Sequence, residues 1–209
     1  MNYEESLQKN KILPAVTLQS ADDAGPVAEA ILNGGLSIIE IAFRSHAAAS
    51  AISVIKKRFP EMLVGAGTVL SVDQLNQAID AGAEFGLAPG FNPLVSKAAL
   101  DKKFPFIPGV MTPSEIELAN TMGFNILKLF PAAQLGGIDF LKALNGPYEQ
   151  LQLKFIPMGG VNIKNLHDYL KLKNVIAVGG SWLAAEYLIN AKSFAAIRKN
   201  VEDAITVRS

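Results

Sequence analysis

Lys128 is the residue of this chain whose type and position best fit covalent chemistry. It lies in the run from Gly123 to Ala132, GFNILKLFPA. If this run is a strand, alternation directs Leu127 and Leu129 toward one face and Lys128 and Phe130 toward the other, where we expect the barrel interior. Burial disfavours an ammonium ion and lowers the pKa of an amine, and a neutral lysine can attack a ketone to form an iminium. The alternative is an ion-paired lysine, or one whose aliphatic stem carries its charge to solvent.

Glu40 and Arg44 bring two opposite charges to a second apolar run, residues 36–44 (LSIIEIAFR). Alternation puts both side chains on the same face as Leu36 and Ile38, which we expect to be the inward face. Both charges then lie in the last five positions of the strand, close to the end where barrel enzymes bind their ligands. A structural ion pair between Glu40 and Arg44 is the alternative.

Two further polar side chains occur in strand-like runs. Thr68 follows the segment Gly65-Ala66-Gly67, so its hydroxyl is expected near the mouth of a barrel, beside glycines that allow a ligand to approach closely. Lys154 comes early in its run, which places it toward the opposite end, where charge usually concerns stability. Lys154 is therefore a weaker candidate nucleophile than Lys128.

Two glycine pairs end the last two strand-like runs. They occur in Met158-Gly159-Gly160-Val161-Asn162 and in Val178-Gly179-Gly180-Ser181-Trp182. Loops after strands seven and eight of a barrel commonly bind phosphate, because glycine exposes backbone N–H groups and the start of a helix favours an anion. Each pair alone is an ordinary turn signal, but together they predict a site for phosphate or another anion.

Other site chemistries lack their characteristic residues. His46 and His167, the two histidines, fall in predicted helices without metal-ligand spacing, and we interpret them as surface residues. Gly65-Ala66-Gly67 lacks the third glycine of a dinucleotide fingerprint, and the chain has no Gly-Lys-Ser/Thr loop. We therefore expect neither a metal nor a cofactor.

The elements that must position these residues form a repeating pattern. Apolar, β-branched runs recur about every 20 to 25 residues with helical patterns between them, as parallel strands with helical crossovers require. Ser20, Ser71, Thr112 and Asn162 are predicted helix start signals. The pattern predicts an α/β fold, a single (β/α)8 TIM barrel over residues 1–209 with an extra helix at residues 2–10, and a doubly wound sheet is the alternative. The predicted strands are 12–18, 36–44, 62–69, 85–89, 105–110, 125–130, 152–158 and 175–180.

Composition limits the partners. The 209 residues are 50% hydrophobic and carry 19 basic and 19 acidic side chains, without a basic block for nucleic acid or anionic lipid. The absence of cysteine favours a cytoplasmic location. The polar segment from Met1 to Lys11 is unlike a signal peptide, and no run is long enough to span a membrane, so we expect a soluble, unprocessed protein that binds a small molecule.

Taken together, these motifs resemble the 2-keto-3-deoxy-6-phosphogluconate (KDPG) aldolases, which also act on 4-hydroxy-2-oxoglutarate (KHG). The lysine motif of that family is a glycine, four residues, lysine, an apolar residue, Phe-Pro-Ala/Ser and a glycine four positions on, and Gly123 to Gly136 fits every position. Its glutamate–arginine motif appears from Gly35 to Arg44, with Ala42 where the family usually has threonine. The similarity extends to segments near 65–68, 89–93 and 108–113 and to both glycine pairs.

The resemblance implies a class I, Schiff-base-forming aldolase. It implies that Lys128 forms the Schiff base and that Glu40 moves protons as a general acid and base. It further implies substrate contacts that fall into three groups: Arg44 and Thr68 for the pyruvate carboxylate, Pro89 and Phe130 for the pocket walls, and Gly159, Gly160, Gly180 and Ser181 for the phosphate. The family is also homotrimeric, so the resemblance implies a homotrimer.

Position 158 bears on the choice of substrate. The KDPG enzymes typically have threonine where this chain has Met158, a position expected to contact the middle of the sugar chain. The related 2-keto-3-deoxy-6-phosphogalactonate aldolases have an apolar residue there but tend to lack the arginine at position 44. KDPG is thus the expected substrate and the galactonate epimer an alternative, while a phosphosugar isomerase or epimerase, or a non-catalytic barrel that binds phosphometabolites, remain alternatives from other classes.

Overall fold

The computed structural model describes residues 3–208, which form an α/β fold built on parallel strands. A sheet of six strands has the order β5-β4-β3-β2-β1-β9, and a sheet of three has the order β6-β7-β8. Every strand pair is parallel. The strands are β1 Ile12–Val16, β2 Ile38–Ala42, β3 Leu63–Gly67, β4 Phe85–Leu87, β5 Phe106–Ile107, β6 Gly109–Val110, β7 Ile126–Leu129, β8 Lys154–Pro157 and β9 Val178–Gly180.

Helices connect successive strands, as the sequence pattern predicts, except β5 and β6, which only Pro108 separates. None of the helices within residues 3–208 combines the length and apolar character needed to cross a membrane. The helices are α1 Tyr3–Asn10, α2 Ala24–Asn33, α3 Ala48–Arg58, α4 Val72–Asp80, α5 Pro93–Asp101, α6 Pro113–Thr121, α7 Gly137–Tyr148, α8 Leu166–Leu170, α9 Glu186–Asn190 and α10 Phe194–Arg208.

Every predicted strand region contains strand residues, but the strands are shorter than predicted. The predicted strand 105–110 is divided at Pro108, which has no N–H to donate, so that β5 pairs with β4 and β6 pairs with β7. Beyond β8, Phe155 N donates to Asn174 O (2.7 Å) and Ile176 N donates to Phe155 O (3.1 Å). The segment that leads into β9 therefore lies alongside β8.

The first and last strands within residues 3–208 are neighbours. Ile12 of β1 pairs with Val178 of β9, and on its other side β1 pairs with β2. Pairing between strands so distant in sequence brings the beginning and the end of the described chain together. The loops that follow β1, β2 and β9 therefore lie at a common edge.

Alternate strand residues pack into two separate apolar clusters. Ile39 and Ile41 belong to the larger cluster with the helices, whereas Ile38 belongs to the inner cluster with the side chains of other strands. In β7, Leu127 and Leu129 pack on the helix side and Ile126 packs inside, as predicted. This alternation gives the sheet one face toward the helices and one toward the interior.

Leu36 departs from the predicted inward face. It belongs to the helix-side cluster with residues such as Ile39. The reason is that β2 begins at Ile38, so that Leu36 lies in the preceding loop and does not follow the alternation of the strand. The inward prediction holds for Ile38 and is wrong for Leu36.

The predicted helix start signals are largely confirmed. The Ser20 and Ser71 side chains accept hydrogen bonds from Asp22 N and Gln74 N, and Thr112 forms a capping box with Glu115. Asn162 is the exception. It begins a turn, accepts a bond from Lys164 N (2.9 Å), and precedes the actual N-cap of α8, Asn165.

Helix α1 corresponds to the extra helix predicted at residues 2–10, of which Asn2 lies outside the described residues. Its side chains fix it near the start of β2. The Tyr3 ring stacks on Phe85 with centroids 6.5 Å apart, and Asn10 Oδ1 accepts a hydrogen bond from Ser37 N (3.1 Å). These contacts place α1 at the amino-terminal ends of the strands.

Candidate active site

Lys128 and Glu40 face each other inside the sheet structure. Lys128 Nζ lies 3.8 Å from Glu40 Oε1, and the two residues are only 4% and 1% exposed. Lys128 comes from β7 and Glu40 from β2, strands that belong to different sheets. The interior therefore contains a lysine and a carboxylate, groups that are costly to bury unless they are paired.

The backbone around Lys128 is fixed by both neighbouring strands. Lys128 N donates to Pro108 O (2.9 Å), and Lys128 stands in register with Gly109 on one side and Ile156 on the other. Its ammonium lies 5.3 Å from the centroid of the Phe130 ring, a distance at which a cation interacts with an aromatic face. Phe130 packs on the inner cluster, as the alternation predicts.

Glu40 is seated against the backbone of Gly67. A Cβ added at Gly67 would overlap Oε1 of Glu40, so that only glycine leaves room for the carboxylate in its present position. The second carboxylate oxygen, Oε2, is buried and accepts no hydrogen bond from residues 3–208. An acceptor buried without a partner is available to a proton donor on a bound molecule.

Arg44 and Thr68 are brought together at the carboxyl ends of β2 and β3. Arg44 Nε donates to Thr68 Oγ1 at 3.3 Å. Thr68 has φ +56°, a left-handed conformation that is uncommon for residues other than glycine and frequent at functional sites. Arg44 was predicted within the strand, but β2 ends at Ala42, and Arg44 lies exposed in the turn that follows.

Pro89 lies in the loop after β4, beside β6, the strand that pairs with β7 and Lys128. A Cβ at Gly109 would overlap the carbonyl group of Pro89, and Gly109 is the residue paired with Lys128. Gly109 N also donates to Gly90 O (3.3 Å). These contacts hold the Pro89 loop close to β6 and β7.

The two glycine pairs adjoin each other at the same edge. Gly159 and Gly160 have φ +85° and +82°, conformations that residues with a side chain rarely adopt. A Cβ on Gly159 would lie 3.2 Å from the Phe130 ring, and a Cβ on Gly180 would lie 3.7 Å from Val161 O. Ser181, which follows Gly180, is exposed. The glycine-rich edge is thus continuous with the surroundings of Lys128.

Met158 and Ala42 occupy the positions that depart from the KDPG aldolase pattern. Met158 is 3% exposed, belongs to the inner cluster, and lies so close to Gly179 that a Cβ there would overlap its methyl group. Ala42 is also buried and stands in register with Gly67, the residue against which Glu40 is seated. Ala42 thus ends β2, the strand that carries Glu40, and Met158 directly follows β8, the strand beside β7.

Other polar candidates lie outside this site. Lys154 begins β8, and its Nζ donates to Lys173 O (3.1 Å). It lines a cavity of about 830 Å3 with residues at the starts of strands, such as Phe106 and Ile126, so this large cavity lies at the end opposite to the site. Lys154 is therefore a weaker candidate nucleophile than Lys128, as predicted.

The histidines lie outside the site as well. His167 is an exposed residue of α8, as predicted. His46, predicted in a helix, lies in the turn before α3 and lines a cavity of about 380 Å3 with Ser71 and Asp73. Between Tyr3 and Arg208, no group of three or more histidine, aspartate or glutamate side chains is arranged to hold a metal ion.

Sequence reasoning missed two features of the site. It treated Gly67 only as a place for ligand approach, whereas the structure shows that Gly67 makes room for Glu40. It did not single out Asn165, whose side chain bonds the Gly160 carbonyl. The sequence did contain a signal for Asn165: it lies five residues after Gly160 and directly before a helical run.

Comparison with known proteins identifies the family of this chain. Residues 3–200 match the family described as KDPG and KHG aldolase. A 2-dehydro-3-deoxy-phosphogluconate aldolase of Haemophilus influenzae is 42% identical over 203 residues, which cover 97% of this chain and 95% of that protein. The KHG/KDPG aldolase of Escherichia coli strain K12 is 38% identical over 202 residues, 97% and 94% of the two chains.

A solved structure gives the same relationship. The KDPG aldolase of Legionella pneumophila, determined with pyruvate captured as a covalent carbinolamine intermediate, superposes with a TM-score of 0.93 at 36% identity over 98% of both chains. Aldolases break and form carbon–carbon bonds and are carbon–carbon lyases. On the combined extent of these matches, this chain belongs to the KDPG and KHG aldolase family.

Proposed function

We propose that this protein is a class I aldolase that reversibly cleaves KDPG to pyruvate and glyceraldehyde 3-phosphate, with KHG, cleaved to pyruvate and glyoxylate, as a second substrate. The observation that carries the proposal is the buried pair of Lys128 and Glu40, with 3.8 Å between Nζ and Oε1. A nucleophilic amine and a proton-transfer group within reach of one another are what Schiff-base chemistry requires.

The reaction begins when Lys128 passes a proton from Nζ to Glu40 and the neutral amine attacks the C2 ketone of the substrate, after which Glu40 gives that proton to the departing C2 oxygen. The C2 oxygen leaves as water, and an iminium joins Lys128 to the substrate. Glu40 then takes the proton of the C4 hydroxyl, the C3–C4 bond breaks, and its electron pair flows into the iminium to form an enamine. Glyceraldehyde 3-phosphate departs. Glu40 returns the proton to C3, and water hydrolyses the resulting pyruvyl iminium to release pyruvate and free Lys128.

Residues around the pair are assigned to the remaining parts of the substrate. Arg44 and Thr68, whose side chains are hydrogen-bonded at 3.3 Å, would hold the pyruvate carboxylate, since a guanidinium matches a carboxylate in a fixed fork. Pro89 and Phe130 would wall the pocket, and Met158 would lie beside the middle of the sugar chain. The phosphate is assigned to the two glycine-pair loops, with contacts from Gly159, Gly160, Gly180 and Ser181.

We extend the proposal to the whole protein. Residues 1–209 would form a single domain in which the two sheets close into one (β/α)8 barrel, capped at its amino-terminal end by α1. Hydrogen bonds from Phe155 to Asn174 and from Ile176 to Phe155 support closure at β8 and β9. The family resemblance supports a homotrimer, and the absence of cysteine supports a cytoplasmic location. The partner would be a phosphorylated keto acid, without metal, cofactor, nucleic acid or membrane.

Borohydride reduction in the presence of pyruvate tests the mechanism. The iminium is reduced to a stable secondary amine, and we expect peptide mass analysis to place the pyruvyl adduct on Lys128. Lys154→Ala, which changes the other strand lysine, is the matched control and should keep the adduct and the activity. A phosphosugar isomerase or epimerase would form no such adduct. Full lyase activity in Lys128→Ala would contradict the proposal and favour a different use of the barrel.

The galactonate epimer is a second candidate substrate because Met158 is apolar. Its thioether side chain is packed against Gly179 and offers no hydroxyl to the sugar chain. Pyruvate release from KDPG, from its galactonate epimer and from KHG should be compared under identical conditions. We expect the highest kcat/KM for KDPG, and a higher value for the galactonate epimer would reverse the assignment.

A further inference from the structure

The carbonyl of Gly160 is held by two asparagine side chains. Asn165 Nδ2 donates to Gly160 O at 3.0 Å, and Asn162 Nδ2 donates to the same oxygen at 3.3 Å. Asn165 Oδ1 in turn accepts a hydrogen bond from Asn162 N at 2.8 Å. Asn165 is the N-cap residue of α8. It therefore joins the loop of Gly159 and Gly160, called the glycine loop below, to the turn that precedes α8.

This arrangement determines where backbone N–H groups point. In a planar trans peptide, the carbonyl and the N–H of the next residue point in opposite directions. Fixing Gly160 O thus fixes Val161 N–H, and Gly159 O, which accepts from Ala133 N (3.0 Å), fixes Gly160 N–H in the same way. Within residues 3–208, neither Gly160 N nor Val161 N donates to a protein acceptor. Two free donors are therefore held in place.

The loop is connected to the strand that carries Lys128. Ala132 N donates to Met158 O (2.7 Å), and Ala133 N to Gly159 O, so that the segment after β7 is tied to the segment after β8. The glycine loop is thereby held from two sides. One side is the chain just beyond Lys128, and the other is Asn165 with Asn162.

We infer that Asn165, assisted by Asn162, is a positioning residue for the substrate phosphate. It acts through the Gly160 carbonyl and keeps the N–H groups of the glycine loop directed at the anion. The inference rests on the proposed function, in which this loop binds the phosphate. A residue that orients a binding group affects affinity for that group more than it affects chemistry elsewhere in the substrate.

KHG allows this to be measured, because it undergoes the same cleavage without a phosphate. In Asn165→Ala we expect KM for KDPG to rise by about tenfold, the lower end of the loss seen when residues that orient metal ligands are removed. The kcat for KDPG, and kcat/KM for KHG, should stay within about twofold of wild type. Inorganic phosphate should also bind the variant more weakly, as measured by calorimetric titration.

Three further variants make the result specific. Asn165→Asp keeps the acceptor for Asn162 N but loses the donor to Gly160 O. Asn162→Ala removes the longer bond to Gly160 O together with the bond from Lys164 N, so both variants should raise KM for KDPG. Asn120→Ala is the control. It removes a similar side-chain hydrogen bond, to Asn125 (3.3 Å) before β7, and should change the kinetic constants for neither KDPG nor KHG. If Asn165→Ala does not fold, Asn165→Asp and Asn162→Ala still carry the test.

The outcomes separate this inference from the proposed function. Equal losses for KDPG and KHG, or no loss for either, would overturn the role of Asn165 while leaving the aldolase intact. A wild-type protein that cleaves neither substrate would overturn the proposed function. Phosphate titration would then still decide the inference, since equal phosphate affinity in wild type and Asn165→Ala contradicts it.

Discussion

The position of Glu40 depends on a residue that has no side chain. The carboxylate occupies the space that a Cβ on Gly67 would take, and its second oxygen has no protein partner within residues 3–208. Gly67 is the last residue of β3 and stands in register with Ala42 at the end of β2. The geometry of the proposed acid–base group is therefore set by the neighbouring strand.

Gly67→Ala should impair catalysis without removing any side chain from the site. The new methyl group displaces the Glu40 carboxylate, and displacements of about 1 Å can cost about a hundredfold in rate. We expect kcat for KDPG cleavage to fall by about that factor, while borohydride still traps pyruvate on Lys128. Gly146→Ala is the control, since a Cβ there meets no atom within 4 Å. Unchanged kcat in Gly67→Ala would show that Glu40 does not need its present position.

The buried ion pair should be visible in unfolding measurements. Lys128→Met leaves the Glu40 carboxylate buried without its partner, and breaking a buried pair in this way costs about 3 to 5 kcal/mol. We expect the double variant Lys128→Met/Glu40→Gln to be more stable than Lys128→Met alone, because no unpaired charge remains. Urea denaturation of the four proteins of this cycle measures the coupling. Strictly additive free energies of unfolding would mean that the two charges do not interact.

Side-chain alternation predicted which residues of β2 and β7 enter the interior, although it failed for Leu36 before β2 and for Arg44 after it. It placed Lys128 and Phe130 on one face of a strand and Glu40 on the inward face of another, and both placements are confirmed. The role of Gly67 could not be predicted in the same way. That role depends on the register of β2 against β3, which brings Glu40 against Gly67 although the two residues are far apart in the sequence.

At the scale of elements, strand positions were predictable and strand ends were not. Strands covered on both faces give continuous apolar runs, which marks their centres clearly. Their ends depend on individual backbone features, such as Pro108 between β5 and β6 and the positive φ of Thr68 just after β3. The apolar run 36–44 likewise does not mark the end of β2, so the predicted strand includes Arg44, which lies in the turn after β2.

The helix that follows β6 offers a test of local stabilisation. In its capping box, Thr112 Oγ1 accepts from Glu115 N, and Glu115 accepts from Thr112 N (2.9 Å). Thr112→Ala should lower the free energy of unfolding by about 1 kcal/mol. Thr121→Ala, at the other end of α6, is the control, because its hydroxyl bonds only the Glu117 carbonyl. Urea denaturation measures both, and equal effects would argue against a capping contribution.

At the scale of the whole molecule, burial of a phenol makes stability depend on alkaline pH. Tyr169 of α8 packs in the helix-side cluster close to Gly137 of α7, and burial raises the pKa of its phenol above the ordinary value of 10.0. The folded state therefore favours the neutral form. Its contribution is present below about pH 10 and is lost as the pH rises, because the unfolded chain ionises first.

Tyr169→Phe should accordingly weaken the alkaline loss of stability. We expect the free energy of unfolding to fall less steeply above about pH 10 than in wild type, as measured by urea denaturation across the pH range. Tyr187→Phe is the control because Tyr187 is 71% exposed. A pH dependence in Tyr169→Phe identical to that of wild type would mean that Tyr169 ionises equally in both states.

The pairing of β1 with β9 has a consequence for synthesis on the ribosome. One edge of β1 receives its partner only when Val178 has been made, and Val178 follows Ile12 by 166 residues. At about 5 to 20 residues per second, that edge waits roughly 10 to 30 s. An unpaired strand edge can associate with other chains. The β1 edge of the nascent protein is therefore open to misassembly until β9 has been made.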